Sequence, residues 1–260
     1  MFASNFNLTD YCQRIGYHGT PTANAATVSS LMQHQLRSIP FENLDVLAGK
    51  GISLVPEAIV DKLVYRQRGG YCYEVNGLFC MALSALGVPF RMVAARPMFY
   101  PMQRPRTHMA LIVTLDGADW LYDLGFGSYG IRAPMRMDVL DTPVMQDFDT
   151  FMLTTLDNGS DQTEYILQAQ VEGQWVKQYG FNLCPQEWID FMPANWMNST
   201  HPDAVFTQKH LLVRFTATGR TILFGENLKQ IAAHAVSQRP VTAQDLPGIL
   251  AEHFGLHLPD

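Results

Sequence analysis

The hydrophobic period of this chain changes once, near residue 87, and that change limits what the chain can fold into. Before it, apolar residues recur at helical spacing. "LTDYCQRIG" offers Thr9 or Asp10 as a cap. "TANAATVSSLMQHQLRSIP" spaces Val28, Leu31, Met32 and Leu36 along one face. "SLVPEAIVDKLVYRQRGG" has Pro56 near a helix start and pairs Ile59 with Leu63. From Val75, the positions Leu78, Phe79, Ala82, Leu83 and Leu86 predict a helix with one buried face, stopped by Gly87 and Pro89. Beyond that point the runs are short and rich in β-formers. "FRMVAARPMFY" and "HMALIVTLDGADWLYDLGFG" lead, with Asp116-Gly117 as a hairpin signal. Further strands are expected around Asn158-Gly159 and Gly173. After "NSTHPDAVF" come two more, with a turn at Gly219, and then a closing helix from about Asp245. The expected class is α+β: helices over 1–87, a β-rich part over 88–195, and a mixed part over 196–260.

Composition narrows the function. With 47% hydrophobic and 16% charged residues, 260 residues can bury a substantial core. The net charge of −6 and the absence of any Lys/Arg run argue against nucleic acid. No apolar run reaches the length of a membrane span. The N-terminus lacks the basic and apolar regions of a secretory signal. The cysteines are Cys12, Cys72, Cys80 and Cys184, with no CxxC spacing, which fits a reduced, cytoplasmic protein. Cys72 and Cys80 are poorly placed for a disulfide, about 80° apart around one helix and two turns apart along it. Cys12, Cys80 and Cys184 read as core residues.

Cys72 is different. It follows Gly69, Gly70 and Tyr71 and stands where a helix begins. Unpaired N–H groups and the helix dipole favour negative charge there, so the thiol is expected to shift toward thiolate. The alternative is an ordinary buried cysteine. A nucleophilic thiolate needs a base, and the base an orienting group. If Asp116-Gly117 is a two-residue turn, His108 faces Gly125, and Asp123 lies two residues away on the same sheet face, within diagonal reach. The alternative makes Asp123 a turn carboxylate and His108 a rim residue. "GFGSYG", residues 125–130, matches G-x-G-x-x-G, but no helix-opening sequence follows, so a Rossmann site is rejected. What remains is a glycine-rich turn that exposes backbone N–H groups and admits a close ligand. His253 and His257 have no third ligand near them, so no metal site is expected.

Together "SIPFENLD", "RGGYCYEVNG", "PRTHMALIV" and "WLYDLGFGS", in this order and spacing, resemble the arylamine N-acetyltransferase family, bacterial type. "NWMNSTHPDAVF" and "EHFGL" extend the resemblance over nearly the whole chain. The resemblance implies an N-terminal helical bundle, a central β-barrel and a C-terminal α/β lid, around a cysteine catalytic core of papain and transglutaminase type. It implies a Cys72, His108 and Asp123 triad that moves an acetyl group from acetyl-CoA to arylamines, arylhydroxylamines or hydrazines. It assigns the donor to Thr107 and to the turn Gly125, Phe126, Gly127, Ser128 and Gly130. It assigns the acceptor to Phe41, Phe126 and Phe206, and a supporting buried pair to Arg68 and Glu42. Acetyl-CoA is then a co-substrate, with no tightly bound cofactor and no metal. The alternatives left open are a related acyltransferase or amide synthase using another donor, and a binding protein on the same scaffold.

Overall fold

The computed structural model describes residues 1–259 except 128, 158, 160, 233 and 234. Helices come first: α1 (Leu8–Ile15), α2 (Ala25–Ser38), α3 (Leu44–Leu47), α4 (Pro56–Val60), which runs into a π-helical turn at Asp61–Tyr65, and α5 (Cys72–Ala85). Asn7, rather than Thr9 or Asp10, caps α1, its side chain accepting the N–H groups of Thr9 and Asp10. Helix α5 departs from the expected single buried face. Every residue from Cys72 to Leu83 is buried, so it is a central helix packed on all sides.

The strands follow: β1 (Phe90–Pro97), β2 (His108–Leu115), β3 (Ala118–Tyr122), β4 (Met135–Arg136), β5 (Val144–Gln146), β6 (Asp149–Leu156), β7 (Glu164–Val171) and β8 (Gln174–Phe181). They form one antiparallel sheet in the order β4-β3-β2-β1-β8-β7-β6-β5. The expected barrel is therefore open, a curled half-barrel with β4 and β5 as its edges. α5 packs on β2, which is buried at every position but Thr114. One core joins α1, α2 and α5 to this sheet.

Helices α6 (Met192–Thr200) and α7 (Val205–Gln208) lead to a second sheet, β9 (Leu211–Thr216), β10 (Gly219–Phe224), β11 (Asn227–Ala232) and β12 (Ala235–Pro240), in strictly sequential order. Helix α8 (Leu246–Ile249) is preceded by Asp245, as expected. The sheet has four strands where two were expected, because the mostly exposed β11 and β12 lack an apolar alternation to announce them. Gly219 lies in β10 and not in the turn; a Cβ there would stand 1.8 Å from the Ile231 carbonyl oxygen. Phe41 ties the helices to this sheet, exchanging backbone hydrogen bonds of 2.9 Å with Val213. The Gly173 hairpin turn is present, with Glu172 and Gly173 both at positive φ. The Asn158 half of the other expected turn lies outside the described residues.

Candidate active site

Cys72 opens α5, and the chain reaches it through two glycines that are there for closeness. A Cβ on Gly69 would lie 2.3 Å from the Pro40 carbonyl oxygen, and one on Gly70 would lie 2.7 Å from Glu74 Oε2. His108 opens β2, and Asp123 follows β3 directly. The hairpin between them has the expected register, Leu115 opposite Ala118, closed by Asp116 and Gly117 at φ 52° and 75°. It brings His108 Nε2 to 2.7 Å from Asp123 Oδ2, with both residues buried.

The other oxygen of Asp123 accepts the Gly125 N–H at 2.9 Å and Asn76 Nδ2 at 3.2 Å. Asn76 lies one turn beyond Cys72 on α5. Its Nδ2 also donates to the Met109 carbonyl at 2.8 Å, and its Oδ1 accepts the Leu124 N–H at 2.9 Å. The carbonyl of Thr107, next to His108, is held by the Tyr73 hydroxyl at 2.8 Å and by Asn198 of α6 at 2.9 Å. Sequence reasoning missed Asn76, Tyr73 and Asn198. Only the i, i+4 spacing of Cys72 and Asn76 was available as a signal.

The thiol does not behave as its place on the helix suggests. Burial pushes the Cys72 thiol up, and the nearby charges of Asp123 and Glu74 push it further. Backbone N–H groups of Tyr73 and Met109 pull the other way and lose. A lone thiolate at Cys72 is therefore disfavoured.

Arg68 and Glu42 are paired at 3.1 Å, as expected, but Arg68 is only partly buried and the pair lies within a larger cluster. Arg68 also meets Asp45 at 3.1 Å. The buried Lys62 meets Asp45 and Glu74 at 2.7 Å each and Glu42 at 3.9 Å. Burial disfavours the Lys62 charge, but Glu74, Glu42 and Asp45 outweigh it and hold the ammonium above its ordinary range.

Cys72 and His108 line one cavity of about 90 Å³, with Phe41, Thr107, Gly125, Phe126 and Phe206 also on its wall. Phe126 stacks edge-on to His108 and to Tyr179, with centroids 5.0 and 4.8 Å apart. On its far side a second, mostly apolar cavity of about 400 Å³ opens between the two sheets, lined by Gly127, Tyr129, Val213 and Ile222 among others. The first is smaller than the roughly 150 Å³ cavity that holds benzene, and the second is of ligand size. Gly125 packs on helix α5, where a Cβ would meet Cys72 Cα at 2.5 Å. Gly127 needs its φ of 91°. Gly130 bonds to the Gly127 carbonyl and lines neither cavity. Ser128 lies outside the described residues. Cys12 and Cys80 are buried, but Cys184 is exposed, a correction to its reading as core.

The fold and the cysteine cavity belong to a class of acyltransferases: a family model described as N-acetyltransferase matches residues 24–260. The arylamine N-acetyltransferase of Mycolicibacterium smegmatis is 35% identical over 98% of this chain and 93% of its own. The crystal structure of the Nocardia farcinica arylamine N-acetyltransferase superposes with a TM-score of 0.92 at 32% identity, covering 98% of this chain and 91% of that one. The Mycobacterium marinum enzyme, whose structure was solved in complex with CoA, superposes with a TM-score of 0.87 at 31% identity over 96% and 92% of the two chains. The chain belongs to the arylamine N-acetyltransferase family.

Proposed function

We propose that this protein transfers the acetyl group of acetyl-CoA to arylamines, arylhydroxylamines and hydrazines through an acetyl-Cys72 intermediate. The observation that carries this reading is the 2.7 Å contact of His108 Nε2 with Asp123 on the wall of the cavity that Cys72 also lines. With Nε2–H held by Asp123, Nδ1 is the nitrogen free to take a proton. Cys72 Sγ attacks the thioester carbonyl as its proton moves to His108. The tetrahedral intermediate collapses, its C–S bond to coenzyme A breaks, and His108 returns the proton to the departing thiolate. The acceptor nitrogen or oxygen then attacks acetyl-Cys72, loses its proton to His108 and expels the Cys72 thiolate. Asp123 stabilises the imidazolium in both halves, and N–H groups of the first turn of α5 serve the oxyanion.

Donor binding falls to Thr107 and to the turn at Gly125, Phe126 and Gly127. Acceptor binding falls to Phe41, Phe126 and Phe206. Support comes from the CoA complex of the Mycobacterium marinum relative and from the paired cavities on either side of Phe126. A cysteine at a helix start, packed on an antiparallel sheet that carries the histidine and the carboxylate, also supports a papain-type core. The domain division at 87 and 195 and a cytoplasmic setting belong to the same proposal. Among the described residues, no helix is long and apolar enough to cross a membrane.

The test is mass spectrometry after brief exposure to acetyl-CoA without an acceptor. One added acetyl group on the Cys72 peptide, discharged by an arylamine, is expected. Its absence under rapid quench in a sample that still turns over would mean direct transfer and would remove the covalent role of Cys72.

A further inference from the structure

The buried ammonium of Lys62 has no part in the chemistry above, yet its bonds lead to the nucleophile. Its Nζ donates to Glu74 Oε1 at 2.7 Å, and the other oxygen of Glu74 accepts the N–H of Tyr71, the residue before Cys72, at 3.0 Å. The Lys62 carbonyl accepts the Arg68 N–H at 3.0 Å. The segment from Lys62 to Glu74, which contains Gly69, Gly70 and Cys72, is therefore pinned at both ends by one residue. Lys62 sits in the π-helical turn at Asp61–Tyr65, a local unwinding of a kind found often at functional sites. Gly70 has no side chain to block Glu74 as it folds back; its missing Cβ would lie within 3 Å of three Glu74 side-chain atoms.

We infer that Lys62 is a positioning residue for Cys72: through Glu74 it holds the first turn of α5, and its charge balances a carboxylate placed close to the reacting thiol. The inference rests on Cys72 being the acetylated residue. The charged groups around Lys62 are Glu74, Asp45 and Glu42, with Arg68 sharing the last two. Those around Cys72 are Glu74, Asp123 and the His108 ring on the same cavity wall. Of all these, Glu74 alone faces both. Burial pushes the Glu74 carboxyl up, against the pull of Lys62. Without Lys62 it loses the partner that keeps it charged and turned toward the Tyr71 N–H.

The experiment compares Lys62→Met, Lys62→Arg and Glu74→Gln with the unaltered protein, reading the single-turnover rate of Cys72 acetylation against pH. The unaltered protein is measured first. If it forms no acetyl-Cys72, the covalent reading has failed and the Lys62 inference with it, and the variants are not needed to show that. Given an intermediate, Lys62→Met is expected to slow acetylation per folded molecule by about tenfold to a hundredfold, the scale of a reacting group misplaced by about 1 Å. Lys62→Arg should recover most of the rate. Glu74→Gln keeps one acceptor oxygen, for the Tyr71 N–H, and gives up the second acceptor and the charge that meet Lys62, so its pH profile should move to lower pH. A merely structural Lys62 would lower the melting temperature and leave both the rate per folded molecule and the profile unchanged, which would overturn the inference. If Lys62→Met does not fold, an unshifted Glu74→Gln profile overturns it alone.

Discussion

Asn76 stands one turn along the same helix from Cys72 and donates to Asp123 Oδ1 at 3.2 Å, while the opposite oxygen of that carboxylate holds His108 at 2.7 Å. The helix that carries the thiol thus also steers the carboxylate. Asn76→Leu would leave the Leu124 N–H and the Met109 carbonyl without their side-chain partners. The expected loss is about 1–3 kcal/mol of stability for each group left buried and unpaired. Turnover should fall further than stability explains, with the acceptor Michaelis constant unchanged. Thermal melts and steady-state kinetics on the same sample check both.

The two glycines after Asp123 should fail differently. Gly125→Ala places a methyl group 2.5 Å from Cys72 Cα, so Cys72 must move, and a loss of about a hundredfold in rate is expected. At Gly127 the nearest atom to a new Cβ is Val213 Cγ2 at 4.0 Å, so the cost there is the positive φ, on the order of 1–3 kcal/mol. Gly127→Val should raise the donor Michaelis constant while iodoacetamide still reaches Cys72 at its usual rate. Alkylation rates of both variants decide between these outcomes.

Because burial holds the Cys72 thiol protonated, its reactivity should depend on His108. In His108→Ala, Cys72 is expected to lose most of its reaction with iodoacetamide at pH 7. Cys184, being exposed, should react in both proteins, and the buried Cys12 and Cys80 in neither. Acetyl-CoA should protect Cys72 alone. Peptide mass spectrometry over a time course separates the four positions.

The protein should lose stability on the alkaline side. Burial raises the thiols of Cys72 and Cys80 and the hydroxyls of Tyr11, Tyr71, Tyr73, Tyr122 and Tyr179. A raised acid keeps its proton in the folded state while the unfolded chain has already released it. Below the unfolded values both states hold the proton and nothing is lost. Above them the unfolded state binds fewer protons, so stability falls with pH. The fall should begin near about pH 8.5 from the thiols and steepen near about pH 10 from the tyrosines. Cys80→Ala should flatten the first part of the curve. Denaturant midpoints from pH 7 to 10.5 measure it.

Local patterns in the sequence were reliable guides to local structure. A two-residue turn at Asp116 and Gly117 and the period of two sufficed for the β2–β3 register, and so for the approach of His108 to Asp123. The glycines and the helix start marked Cys72. Groups that act across the fold left no pattern. Lys62 and Glu74 are twelve residues apart and meet only because a π-turn and two bare glycines fold the chain back. Asn198 reaches Thr107 from ninety-one residues away. The helix start at Cys72 is local and visible in the sequence, whereas the burial on all sides of α5 that pushes its thiol up is not.

The strand order carries a kinetic consequence. In the second sheet every strand pairs with its neighbour in the chain, and β2 pairs with β3 across a tight turn, so these units close short loops. Strand β1 instead lies between β2 and β8, and its pairing joins Ala95 to Phe181. Contacts so distant along the chain are slow to form. The β1–β8 seam is therefore expected to close later than the hairpin that bears His108 and Asp123.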